Sequence, residues 1–161
     1  MASDYLLEIE GIKGDSADSK HKGTIEVQSF SWGASNMGSS GSGGGGGAGK
    51  VSIQDFHFTA PVSSASPNLF LRCADGKHIK KAVLFARKQG GEQHDYYKVT
   101  LEDLIVSSYQ TGGHDGSGSI PTDQVSINAV RWKLEFAPQK PDGTVGTFVS
   151  GGWDISQNKA Q

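Results

Sequence analysis

From Val130 to Phe136, the apolar residues Val130, Trp132, Leu134 and Phe136 alternate one for one with Arg131, Lys133 and Glu135. A period of two puts one set on each face of an extended strand, and a helix cannot gather that pattern onto one side. The alternation recurs in Tyr5, Leu7 and Ile9 against Leu6, Glu8 and Glu10, in Ile25 with Val27, and over residues 79–88 and 96–109. The chain therefore reads as mainly β.

The phase of the alternation slips in three places. Ile25 and Val27 give way to Phe30 and Trp32, Ile53 to Phe56 and Phe58, and Val125, Ile127 and Ala129 to Val130 and Trp132. Each slip predicts a β-bulge, where one extra residue restores the inward face after a bend, and long bent strands close small barrels. One helix interrupts the strands, over about 66–76 in SASPNLFLRCADGK. Ser66 is expected to cap it, Pro67 to occupy the first turn and Gly76 to end it in a left-handed conformation. Leu69, Phe70, Cys73 and Ala74 share a helical face, which is expected to cover a barrel opening or a sheet face and to hold Cys73 as packing rather than as a nucleophile.

Between the strand SFSWG and the strand VSIQDFHF lies a glycine arm, about 36–50. Gly44, Gly49 and Lys50 fit the spacing of a phosphate-binding P-loop, but Val51 stands where a Ser or Thr hydroxyl meets magnesium, and a strand follows where a helix is required. Eight of the twelve residues from Gly38 to Gly49 are glycine, so the arm has almost no side chains to bury. Fully extended, it reaches about 40 Å at roughly 3.3 Å per residue, far enough to touch a neighbouring subunit.

With 161 residues the chain suits a single domain, 1–161, and 15 basic against 17 acidic side chains give a net charge of −2. Such a balance provides no field to attract nucleic acid or an anionic membrane. The lone Cys73 forms no internal disulfide, which suits synthesis in a reducing cytosol. MASDYLLEIEG carries no Sec-type leader, and no apolar run approaches the roughly 20 residues needed to span a bilayer.

Little in the sequence points to chemistry. His21, His57, His78, His94 and His114 show no zinc-ligand spacing, so no metal is assigned. Ser19 and Lys22 fit S-x-x-K without the companion elements of that hydrolase class, and the adjacent His114 and Asp115 sit in a glycine-serine loop. No catalytic residue is assigned. Two other readings stay open: a carbohydrate-binding β-sandwich, which needs aromatics such as Trp32 and Trp132 on an exposed rim, and a nucleotide-binding enzyme using Gly44 to Lys50.

Several segments together, GIKGDSADSKHKGTIEV, SFSWG, GGGGGAGKVSIQDFHFT, ASPNLFLRCADGKHIKKAVL, VTLEDLIVSSYQTGG and APQKPDGTVG, span nearly the whole chain. In them the chain resembles the haemolysin-coregulated proteins, the Hcp family that builds the inner tail tube of bacterial type VI secretion systems. The resemblance implies a small β-barrel of two antiparallel sheets with one flanking helix and a long extended loop. It implies hexameric rings that stack into a tube, are made in the cytoplasm without a Sec signal, are exported through the secretion system, and carry effector proteins in the lumen as a chaperone. Spike and sheath proteins are the further partners, and no cofactor is implied. Gln28, Ser29 and Ser31 match the segment whose outward face lines the lumen. Asn36, Met37, Gly38, Gly43, Gly44, Gly45, Gly46, Gly47, Gly49 and Lys50 fall in the loop that packs between subunits and between rings. Some members carry an enzyme domain after the barrel; GGWDISQNKAQ at the end of this sequence leads to the expectation of the plain tube form. Leu6, Ile105 and Tyr109 are expected on the outer faces, as apolar rows that need a partner.

Overall fold

The computed structural model describes residues 3–36, 50–88, 93–116 and 118–161. The arm residues Met37, Gly38, Gly43, Gly44, Gly45, Gly46, Gly47 and Gly49 lie outside the described residues. In chain order the strands are β1 (Ser3–Ile9), β2 (Ile25–Val27), β3 (Ser29–Ser31), β4 (Ala34–Asn36), β5 (Val51–Ile53), β6 (Phe56–Pro61), β7 (Ile79–Lys88), β8 (Asp95–Gly112), β9 (Thr122–Phe136), β10 (Val149–Asp154) and β11 (Lys159–Ala160). Helix α1 (Ser66–Asp75) lies between β6 and β7.

The protein is mainly β, with two antiparallel sheets: a two-stranded β4–β5 sheet and a large sheet in the order β11-β10-β9-β8-β7-β1-β2. The first half of β9 also pairs with β6, and β6 in turn pairs with β3. Because β2 and β3 are successive halves of one segment, the large sheet rolls back on itself. The ladder is interrupted at Gln28, whose N–H donates to Thr59 O at 2.8 Å. The expected barrel is thus a rolled sheet with a break in its hydrogen bonding. Phe56, Phe58, Val99, Leu104, Val125 and Ile127 form its fully buried centre.

None of the three phase slips is a bulge. Between Val27 and Phe30 the chain changes partner from β1 to β6, and between Ile53 and Phe56 it leaves the small sheet for the large one. At Ala129 to Trp132 the register against β8 is unbroken, since Leu104 faces Ala129 and Glu102 faces Arg131. The burial phase nevertheless inverts in all three adjacent strands: Ile79 then Ala82, Leu101 then Leu104, Ala129 then Trp132. Asp103, at φ 55°, sits in the middle strand of this crease, so the sheet turns by local coiling rather than by an inserted residue. The register shifts lie elsewhere, at Ala86/Arg87 and Val106/Ser108.

Helix α1 ends as expected, with Gly76 at φ 63° and its N–H on Arg72 O. Its start differs. Ala65 is the N-cap residue, and the Ser66 hydroxyl turns inward to donate to the buried Asp123 carboxylate at 2.5 Å. Only part of the expected face is covered: Leu69 is buried and Cys73 packs against the core, whereas Phe70 is 60% exposed and Ala74 is exposed.

Residues 13–24 form a loop over the outer face of β1 and β7. Gly14 admits the close approach of Thr24, whose carbonyl oxygen would lie 2.5 Å from any Cβ there. The Asp18 carboxylate accepts two backbone N–H groups, from Lys20 and His21, and is bridged by both terminal nitrogens of the buried Arg87. His21 stacks on Phe85 with centroids 4.1 Å apart and meets the Asp95 carboxylate at 2.9 Å. This cover corrects the expectation for Leu6, which is buried; Tyr109 also packs against the core.

The Arg87 hydrogen bond holds the Asp18 carboxyl below its usual value, against a smaller upward push from burial. A carboxylate with a depressed folded pKa stabilises fully above its unfolded value of about 3.9 and loses that contribution as pH falls through the folded value. Melting temperature in wild-type protein should therefore fall more steeply below about pH 4 than in Asp18→Asn, so that the gap between the two narrows as pH is lowered further. A constant gap across that range would show that the pairing with Arg87 adds no pH-dependent stability.

Candidate assembly and cargo surfaces

The outward residues of β3, β6, β9 and β8 form one continuous polar face. Its register brings Ser29, Thr59, Gln124 and Gln110 into one cross-strand row, and Ser31, His57, Ser126 and Ser108 into the next. Ser29 Oγ and Thr59 Oγ1 are 2.6 Å apart, and His57 Nδ1 and Ser126 Oγ are 3.1 Å apart. At the edge, the Asp55 carboxylate accepts Asn128 Nδ2 at 2.8 Å and Ser107 Oγ at 2.7 Å. These groups are polar and, apart from Asp55 and His57, neutral, and several are tied to one another by the hydrogen bonds above. A surface of this kind stays hydrated and offers no broad apolar grip to a passing protein.

Beneath this face the parity is as expected. Phe30 packs on Tyr5 at 5.1 Å and Phe56 at 5.9 Å, while Ser29 and Ser31 are exposed. Gln28, in the break between β2 and β3, is exposed as well. The structure thus brings Ser29 and Ser31 onto this face, while the exposed Gln28 borders a separate cleft lined by Leu6, Asp18 and Arg87. Sequence reading missed the rest of the face, although Thr122, Gln124, Ser126 and Asn128 alternate with Asp123, Val125 and Ile127 in a run that displays it.

A second surface lies at the base of the arm. There the β4–β5 sheet and β9–β10 enclose a groove of about 870 Å³, lined by Trp32, Ile53, Trp132, Leu134, Phe136 and Val149 among others. Trp32 stacks on Trp132 at 5.2 Å, and Trp132 is buried with its indole N–H on Ala129 O at 3.0 Å. Phe136 and Val149 are 47% and 71% exposed. Asn36 and Val51, the last described residues before the arm and the first strand residue after it, stand on the groove wall. Lys50 is exposed and Val51 opens a strand, so the P-loop spacing ends in β structure. The stacked Trp pair does not stand free on a rim as a sugar platform would.

Asp123 underlies the helix end of the polar face. It is 1% exposed and accepts the Ser66 hydroxyl and, at 2.7 Å, the Tyr109 hydroxyl. Burial, reinforced by the bond to Asp123, raises the Tyr109 pKa above its ordinary value, so Tyr109 keeps its proton and acts as the donor. Among the described residues no group of three or more His, Cys, Asp or Glu is placed to hold a metal, and no helix is long and apolar enough to cross a membrane.

Comparison with known proteins adds to this geometry. A family model described as the type VI secretion system effector Hcp matches residues 6–136. The chain is 44% identical over 160 residues to the protein hcp1 of Pseudomonas aeruginosa, with 98% of each chain covered. Among solved structures, Hcp1 from Salmonella typhimurium aligns with a TM-score of 0.84 at 35% identity over 100% of both chains. A structure described as a type six secretion system protein aligns with a TM-score of 0.93 at 28% identity, covering 99% of this chain and 100% of the other.

Proposed function

The chain belongs to the Hcp family of type VI secretion proteins, and we propose that it is a structural subunit of the secretion tail tube. In this reading six copies form a ring, rings stack into a tube, and the tube is exported with effector proteins held in its lumen. The observation that carries it is 44% identity over 160 residues, 98% of this chain and of the relative.

The polar face is the candidate lumen wall. Ser29 and Ser31, with Gln28 beside them, project from a strand whose other side is anchored by Phe30, so a guest meets small hydroxyls on a rigid backing. The arm from Asn36 to Lys50 is the candidate contact between subunits and rings. Spike and sheath proteins are the remaining partners, with synthesis in the cytoplasm and delivery through the secretion system.

The role is non-enzymatic. His57 and Ser126 do form a Ser–His pair, but it lies flat on an open sheet face, and the nearby Asp55 carboxylate is engaged by Ser107 and Asn128 instead of orienting the imidazole. Light scattering across a size-exclusion peak should return six times 17.0 kDa for the purified chain. A mass of 17.0 kDa that does not change with concentration would refute the ring.

A further inference from the structure

Two apolar regions lie at opposite ends of β9, and they differ in shape. At its start, Phe70 and Ile120 are each 60% exposed and Val62 is 37% exposed. Val62 N–H bonds Pro121 O, and the Phe70 ring meets Tyr109, which faces Val125, so these residues belong to one end of the fold. At the far end of β9 lies the Trp32–Trp132 groove. From Val125 to Phe136 the strand runs up to about 35 Å at roughly 3.3 Å per residue, so a copy cannot close one end onto its own other end.

We propose that the projecting end, led by Phe70 and Ile120, seats in the Trp32–Trp132 groove of the neighbouring copy within a ring. The proposal rests on the tube reading and supplies its lateral contact. Among the described residues none that lines the groove is ionisable, which favours an apolar guest over a charged one. At about 870 Å³ the groove falls within the 300–1,000 Å³ range of sites that enclose a compact guest, enough for several side chains. Projection and groove are different surfaces, so each copy that fills a neighbour's groove leaves its own open for the next. A heterologous contact of this type generates a ring when the rotation closes.

The contact is tested by crippling one half at a time. Phe70→Asp spoils the projection and keeps the groove; Val149→Asp spoils the groove rim and keeps the projection. Both positions are solvent-exposed, so the fold tolerates the change. Scattering should give six times 17.0 kDa for wild type, 17.0 kDa for each variant alone, and twice 17.0 kDa for an equimolar mixture, in which one intact projection meets one intact groove. Ile120→Asp serves as a second projection variant if circular dichroism shows Phe70→Asp unfolded. Wild-type monomers would sink the tube reading itself. Wild-type rings with variants that also form rings, or folded variants that stay monomeric on mixing, would overturn this contact alone.

Discussion

Asp123→Ala should lower the unfolding free energy by about 2–4 kcal/mol, among the largest effects of any polar substitution in the chain. Ser66 and Tyr109 both give their hydroxyl hydrogens to this carboxylate, in a place where Asp123 is 1% exposed. A buried donor that loses its acceptor costs about 1–3 kcal/mol, because water does not replace the lost partner. The same change unties three elements at once, since Ser66 opens α1, Tyr109 is on β8 and Asp123 is on β9. Asp123→Asn keeps one acceptor oxygen and should cost less than half as much. Urea denaturation of the two variants measures the difference; an Ala variant within 0.5 kcal/mol of wild type, by roughly the tolerance of ordinary surface changes, would show that the node is not structural.

The same residue shows where sequence reading reaches its limit. Ser66 has the composition and position of a helix cap, yet its hydroxyl is drawn to a carboxylate 57 residues away, and long-range pairing of this sort leaves no local pattern. Phe70 failed for a related reason. Helical periodicity places it beside Leu69, but only the sheet underneath determines how wide a stripe is covered, and here that stripe ends at Leu69 and Cys73. By contrast, the alternation of Val125, Ile127 and Trp132 directly reports burial, because a strand has only two faces. The slips were legible as positions and not as mechanisms. A change of partner at Gln28, and a crease through Asp103 shared by three strands, produce the same one-residue offset as a bulge. Leu6 reads as solvent-facing by parity and is buried because a polar loop, held by Asp18 and Arg87, folds over it. For the candidate site, alternation alone exposes Ser29 and Ser31, while the neighbours that complete the face come from β6, β8 and β9 through register.

On the tube reading, Ser31→Glu should abolish retention of effectors while leaving the ring intact. Ser31 is exposed at the end of β3, in register with His57, and its hydroxyl carries none of the fold's packing. An exposed substitution of this type shifts stability by about 0.5 kcal/mol or less. Its effect on a guest is larger, because ring symmetry repeats it in every copy, converting a belt of small neutral hydroxyls into a belt of carboxylates. Carboxylates facing one lumen repel acidic cargo, and any cargo must strip water from them before it can pack closely. Ser31→Ala separates the causes: it removes the hydroxyl without adding bulk or charge, so it should lower retention only to the extent that the hydroxyl itself bonds the guest. The measurement is recovery of several effectors of the same secretion system with wild-type, Ala and Glu rings, after scattering has shown all three to be rings. Undiminished recovery on the Glu ring would remove Ser31 from the cargo surface, and collapse of that ring into monomers would instead place this edge of β3 in the contact between copies.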